Sequence, residues 1–393
     1  MDYNFTDPDL FPSWKQWWTL DPDRIYLNHG AFGACPRPVL EQQKELRAQL
    51  ERNPTRFMVH ELEPLLDEAR DRLAEFVGAK SAELAFIPNT TTGISTVLRS
   101  LSFAPGDELL TTTQEYNACR NALDFVAART GANVVTVPVP FPFENEEMAI
   151  AAILSGISEK TRLVLLDHIT SVTSLIFPIQ QLARELRDRQ IDFLVDGAHV
   201  PGQIPLNLAE LGVTYYCGNC HKWLCSPKGA AFLYVREDKQ SLIHPLTISH
   251  GANSSRRDRS RFHLEFDWTG SNDPTPYLCL PATLDFINTR VPGGWMGLME
   301  SNHHKVIQAR QVLCDALGIA PLTGDRAIGS MASLPLPEGC ARTLYRQLSE
   351  EKGIEVAIKP FPHPPHRLLR ICAQIYNDLN DYQQLAIALN TLL

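Results

Sequence analysis

A chain of 393 residues with 36 Lys and Arg against 45 Asp and Glu carries a formal charge of −9, so it has no basic surplus to grip nucleic acid or an anionic membrane surface. With 44% hydrophobic and 21% charged residues it has the composition of a globular protein with a sizeable core, and its length suggests two or three domains. Nine scattered cysteines, odd in number, read as reduced thiols, and no apolar stretch is long enough to span a bilayer.

The first segment, MDYNFTDPDLFPSWKQWW, is acidic and aromatic and lacks the basic-then-apolar layout of a signal peptide. It reads as an arm over residues 1–25 of a cytoplasmic protein. Pro38–Glu51 has the pattern of a long helix with a polar outer surface. From about Ala69 to Val235, apolar runs alternate with helical periodicity. The runs are Leu84–Ile87, Glu108–Thr112, Asn133–Val137, Arg162–His168, Asp192–Val195, Thr214–Cys217 and Ala230–Val235. Between them lie stretches with helical periodicity, such as Ile94–Leu101, Ala118–Thr130, Ile179–Arg189 and Leu206–Leu211. This alternation predicts an α/β fold with a mostly parallel sheet covered on both faces, forming a large domain over 26–275. Ligands of such sheets sit at the carboxyl ends of the strands. Beyond about Pro276 the chain reads as helical to Leu317. A strand at Ala332–Leu336, a helix from about Cys340 to Glu351, strands at Ile354–Ile358 and Leu368–Cys372 and a last helix follow. This is a smaller α+β domain, 276–393, packing with the arm.

Four segments carry candidate chemistry, each just after a predicted strand. In IPNTTTGIS, Asn89, Thr90 and Thr91 lead into a helix, where backbone N–H groups and hydroxyls can hold a phosphate; taken alone the segment also fits simple capping. In QEYNACRNAL, Tyr116 can lie on a flat cofactor, though a turn tyrosine is the bland alternative. In LVDGAHVPG, Asp196 ends a strand and His199 follows; an acid there can face the pyridine nitrogen of pyridoxal 5′-phosphate (PLP), and a turn-forming Asp-Gly is the simpler reading. In HKWLCSPKGAAFLYV, Lys222 stands where burial can lower its pKa, as a Schiff-base lysine requires, with Lys228 as its rival. Each signal is weak alone, and their consistent order gives them weight together.

With these residues in view, the chain from Tyr26 to the C-terminus resembles the class V aminotransferase family of PLP enzymes, most specifically in VDGAHVPG and HKWLCSPKG. The resemblance implies PLP-dependent transferase fold type I, with a mostly parallel seven-stranded sheet in the large domain. It implies that Lys222 is the Schiff-base lysine, that Asp196 partners the pyridine nitrogen and that His199 touches the ring hydroxyl. Thr90, Thr91, Asn219 and His221 would hold the phosphate. Tyr116 falls where the family often has a stacking histidine, which keeps the stacking and removes an imidazole. Ser271, in WTGSND, would reach the phosphate of the neighbouring subunit of a homodimer, and Arg370, in HRLLRICAQIYND, would clamp the substrate α-carboxylate. Within the family, YLNHGAFGACPRPVLEQQ and NPTRFM are most similar to the isopenicillin N epimerase subgroup, which would put Asn28 and His29 near the substrate.

The expected activity is therefore at the α-carbon of an amino acid, or of a peptide containing one, through an external aldimine. An epimerase-like isomerase is expected first, and a C–S β-lyase, an aminotransferase or a vestigial cofactor-binding homologue remain open. Epimerisation needs a second acid/base, for which Tyr116, His29 or a water is available. A cysteine desulfurase needs a nucleophilic thiol before the clamp arginine; Glu355–Arg367 contains none, and Cys340 lies far back. Cys217 and Cys220 form a lone CxxC, too few ligands for a metal site and better read as packed thiols. The arginine-rich Arg256–Arg261 reads as a solvated loop, or alternatively as a mobile anion-attracting one. The pairs His303-His304 and His363/His366 suggest metal only weakly. No metal, nucleic acid or membrane partner is expected.

Overall fold

The computed structural model describes residues 14–142 and 145–393, so half of the predicted arm lies outside the described residues. Its strands are β1 (Ile25–Tyr26), β2 (Leu84–Ile87), β3 (Glu108–Thr112), β4 (Asn133–Val137), β5 (Thr161–Asp167), β6 (Asp192–Asp196), β7 (Tyr215–Asn219), β8 (Ala231–Val235), β9 (Met331–Leu336), β10 (Ile354–Glu355), β11 (Ala357–Pro360) and β12 (Arg367–Cys372). Seven of them form one sheet in the order β2-β8-β7-β6-β5-β3-β4.

Away from the edge strand β4, both faces of this sheet are buried, which is why its inner strands read as continuous apolar runs. Successive side chains alternate between two cores: Phe193 and Val195 of β6 pack on one face with Val164 and Leu166 of β5. Leu194, Leu163 and Leu165 pack on the other. β8 is the exception to parallel pairing, running antiparallel to both β7 and β2. The reason is the link. Residues 220–230 are too few for the helical crossover that a parallel strand requires, so the chain turns back beside β7. That short link carries Lys222.

Two further helices flank the sheet. Leu62–Val77 buries Leu66, Ala69, Leu73 and Val77, and Glu146–Ser155 begins at the Asn145 cap, whose side chain accepts the Met148 N–H. The C-terminal part has its own antiparallel sheet, β11-β12-β9. The run expected as a single strand over Ile354–Ile358 is split: β10 pairs in parallel with β1, and β11 pairs with β12. Apolar packing divides within the helix Gly294–Leu317. Trp295, Leu298 and Met299 join the core of the large sheet, while Val306, Ala309 and Leu313 join the second core together with Leu27. The segment around β1 therefore ties the two parts together.

Candidate active site

The carboxyl ends of β5, β6 and β7 and the start of the helix Thr90–Ser100 enclose a cavity of about 370 Å³, a size suited to a small cofactor. Thr90, Thr91, Tyr116, Asp196, His199, Asn219, His221 and Lys222 all line it, so the fold collects residues up to 132 positions apart in the chain. Asn89 caps the helix by accepting the Thr92 N–H at 2.9 Å, and Asn219 Oδ1 accepts the Thr90 N–H at 2.9 Å. The Thr90 hydroxyl is buried with no protein partner. An unpartnered hydroxyl at a helix N-terminus is what a phosphate would satisfy.

Deeper in, Asp196 accepts hydrogen bonds from the Ala198 N–H at 2.9 Å and the Cys119 thiol at 3.1 Å. Burial raises its pKa, opposed by those two donors and by the nearby Lys222 ammonium. A protonated pyridine nitrogen would compensate such a carboxylate. Lys222 Nζ lies 3.4 Å from His199 Nε2. Burial brings its amine down to about 8, Asp196 opposes the shift and the Arg370 charge adds to it. Lys228 also reaches the cavity wall, but the titratable groups beside it are the Cys35 and Cys225 thiols and not Asp196. His199, fully enclosed, is held well below the ordinary histidine value by burial and then by the Lys222 and Arg370 charges, so its imidazole is neutral; its Nδ1 has no protein partner. The residues present thus fit PLP at the phosphate end, at the ring and at the amine.

This cavity opens on a chamber of about 910 Å³ reaching the C-terminal sheet, and Ala31, Phe32, Tyr116, Ser171 and Lys222 stand on the wall the two share. Arg370 and Asn28 line the chamber. Arg370 is 2% exposed and donates to the Ser171 carbonyl and, at 3.2 Å, to Asn28 Oδ1, while its Nε has no partner. His29 lies elsewhere. It is fully buried, lines neither space, and its ring nitrogens are engaged by the Tyr376 hydroxyl at 2.8 Å and the Lys222 carbonyl at 3.0 Å. Burial brings it down to about 3. It braces the backbone of the lysine loop. Nearby Gly33 has φ 70° and ψ 165°, a conformation essentially confined to glycine, and a Cβ there would lie 2.0 Å from the His221 carbonyl oxygen. Ser271 is exposed and borders neither space in its own chain.

Sequence reading passed over Asp167, which pairs in register with Asp196 and lines the cavity, and Glu115, half-buried beside Cys119 and Asp196. Burial raises both carboxyls well above the ordinary range, and Glu115 adds to the rise at Asp167. Asp167 ends an apolar run just as Asp196 does, and that was the available signal. Cys217 and Cys220 are buried, and burial pushes both thiols up, against the thiolate that metal or redox chemistry needs. In the arginine loop, Arg256 pairs with Glu63, and Arg259 with Asp67 and Asp267, so those charges are met within the chain and face neither space. Cys340 borders the chamber despite its distance from Arg370 in sequence.

A sheet with these carboxyl-end residues defines a PLP-dependent enzyme of fold type I. The family model described as aminotransferase class-V matches residues 25–266, and the chain belongs to that family. It is 32% identical to isopenicillin N epimerase of Streptomyces clavuligerus, over 95% of this chain and 96% of the relative. It is 30% identical to putative L-cysteine desulfhydrase 1 of Oryza sativa subsp. japonica, over 93% of this chain and 82% of the relative. Among solved structures, the complex of the cystine C–S lyase C-DES with its reaction product cysteine persulfide superposes with a TM-score of 0.79 at 25% identity, covering 94% and 97% of the two chains. No helix of the described residues is long and apolar enough to cross a membrane.

Proposed function

We propose that this chain is an epimerase-like enzyme that inverts the α-carbon of an amino acid, or of a peptide containing one, whose remainder extends into the larger chamber. The observation that carries this reading is the position of Lys222 and Tyr116 together on the wall shared by the cofactor-sized cavity and a chamber of about 910 Å³. When bound, PLP supplies the electron sink that makes an α-proton acidic. Inversion then requires two proton-handling groups, one to remove the proton and one to return it on the opposite face. Lys222, at about 8, is a competent base near neutral pH. Burial raises Tyr116 above its ordinary value and keeps its hydroxyl protonated, so it can donate. His29, the other side chain considered for that task, is sealed away from both spaces.

In this reading Lys222 bonds the cofactor, Asp196 faces the ring nitrogen and His199 the ring hydroxyl. Thr90, Thr91, Asn219 and His221 hold the phosphate, and Arg370 with Asn28 holds the α-carboxylate. Ser271 completes the phosphate site of a second copy in a cytoplasmic homodimer. The similarity to L-cysteine desulfhydrases and to a cystine C–S lyase supports a second reading, β-elimination, which needs Lys222 and not Tyr116.

Following the α-proton of candidate amino acids and peptides by NMR in heavy water separates the two. Exchange with inversion is expected, and Tyr116→Phe should slow inversion on the order of 100-fold while exchange of the starting stereoisomer persists. Pyruvate release without inversion supports the lyase, and exchange without inversion of any L-substrate overturns the epimerase reading.

A further inference from the structure

The larger chamber holds more positive charge than one α-carboxylate requires. Besides Lys222, its wall carries Arg342, Lys359 and Arg370, and the carboxylate it offers in return is Glu355. Glu355 is already occupied, accepting from Asn28 Nδ2 at 3.4 Å, from the Tyr345 hydroxyl at 3.3 Å and from the Ser349 hydroxyl at 3.2 Å. Among the described residues, neither Lys359 nor Arg342 belongs to an ion pair. That sets them apart from Arg256 and Arg259 of the arginine loop, which pair with carboxylates within the chain.

Strand pairing puts Lys359 beside the clamp arginine. Ala357 of β11 lies opposite Arg370 of β12, and Lys359 is two residues further along. Alternation therefore sends Lys359 and Arg370 out of the same sheet face as diagonal neighbours, roughly 7–8 Å apart at the backbone. Arg342 joins them from the helix Ala341–Arg346. Burial and then the Arg370 charge lower the Lys359 amine below its ordinary value, so the two cations feel each other. Both side chains are exposed on the chamber wall, and like charges gathered there without a counter-ion raise the local concentration of anions and are relieved by binding one.

We propose that Lys359 and Arg342 form a second anion subsite that receives a carboxylate at the far end of the substrate. The substrate is then a dicarboxylate, with one carboxylate held by Arg370 at the reacting carbon and the other by Lys359 and Arg342. This rests on the reading that Arg370 faces the α-carboxylate.

The test is calorimetric titration of the PLP-loaded enzyme with unbranched dicarboxylates of three to eight carbons, each against the monocarboxylate of equal length. At one length the dicarboxylate should bind on the order of tenfold more tightly. Lys359→Met and Arg342→Met should each reduce that preference while leaving monocarboxylate binding and the visible absorption of the bound cofactor unchanged. A peak at short length indicates a side-chain carboxylate, and one at long length a peptide terminus. Equal binding at every length, or a preference that survives both substitutions, overturns the subsite. Inversion is read separately by NMR: a dicarboxylate preference without inversion retains the subsite and rejects the epimerase, and inversion without the preference does the reverse.

Discussion

Replacing Lys222 with methionine in the cofactor-free protein should make it more stable at neutral pH. Burial brings the folded amine from an ordinary 10.5 to about 8. Each tenfold loss in proton affinity is about 1.4 kcal/mol, so holding the ammonium folded costs about 3 kcal/mol. Below about pH 8 the amine is protonated in both folded and unfolded chains, and the folded chain bears the full cost. Between about 8 and 10.5 the folded amine is neutral while the unfolded one still binds a proton, so wild-type stability rises relative to the variant. Above 10.5 the two states bind protons alike and the contribution is constant. Methionine has a similar length and no charge. At pH 7 the Lys222→Met apo-protein should therefore exceed wild type by up to about 3 kcal/mol in urea unfolding, and the gap should close across pH 8–10.5. A variant no more stable than wild type at pH 7, or a gap that does not change with pH, would refute the view that this site stores a destabilised amine. In the proposed reaction this amine is the nucleophile that would meet an aldehyde, so the stability given up would be the source of its reactivity.

Three further outcomes follow from the geometry. Thr90→Val removes a hydroxyl that has no protein partner, so apo-protein stability should change by less than about 1 kcal/mol while the Kd for PLP, read by absorbance titration, rises on the order of tenfold. Gly33→Ala puts a Cβ against the His221 and Lys222 carbonyls in a backbone region reserved for glycine; it should cost about 1–3 kcal/mol in thermal or urea unfolding and displace the lysine loop, weakening the cofactor's visible band. Arg370→Lys keeps the charge and loses the planar fork, so KM should rise on the order of tenfold or more with little change in PLP affinity.

Much of the large sheet was legible because its signals are local. A strand buried on both faces is mostly apolar, and the runs from Leu84 to Val235 were visible without knowing their partners, although the edge strand β4 is only partly covered. The residues that line the cavity follow those strands directly, so their positions in the chain predicted that Thr90, Tyr116, Asp196 and Lys222 would meet at one edge. The Asn145-capped helix was less visible, and the split of Ile354–Ile358 depends on which neighbour each half finds.

What the sequence by itself determined was the order of strand ends and the chemical groups placed at them, because backbone periodicity and turn chemistry act over a few residues. Tertiary structure alone decided which groups face the same space. His29 and Asn28 are adjacent in the chain, yet one is enclosed against Tyr376 and the other hydrogen-bonds Arg370, 342 residues away. Asp167 becomes a neighbour of Asp196 through strand register, and Lys359 joins Arg370 through cross-strand pairing. Burial, charge proximity and cavity shape arise from contacts between distant segments, and no local pattern encodes them.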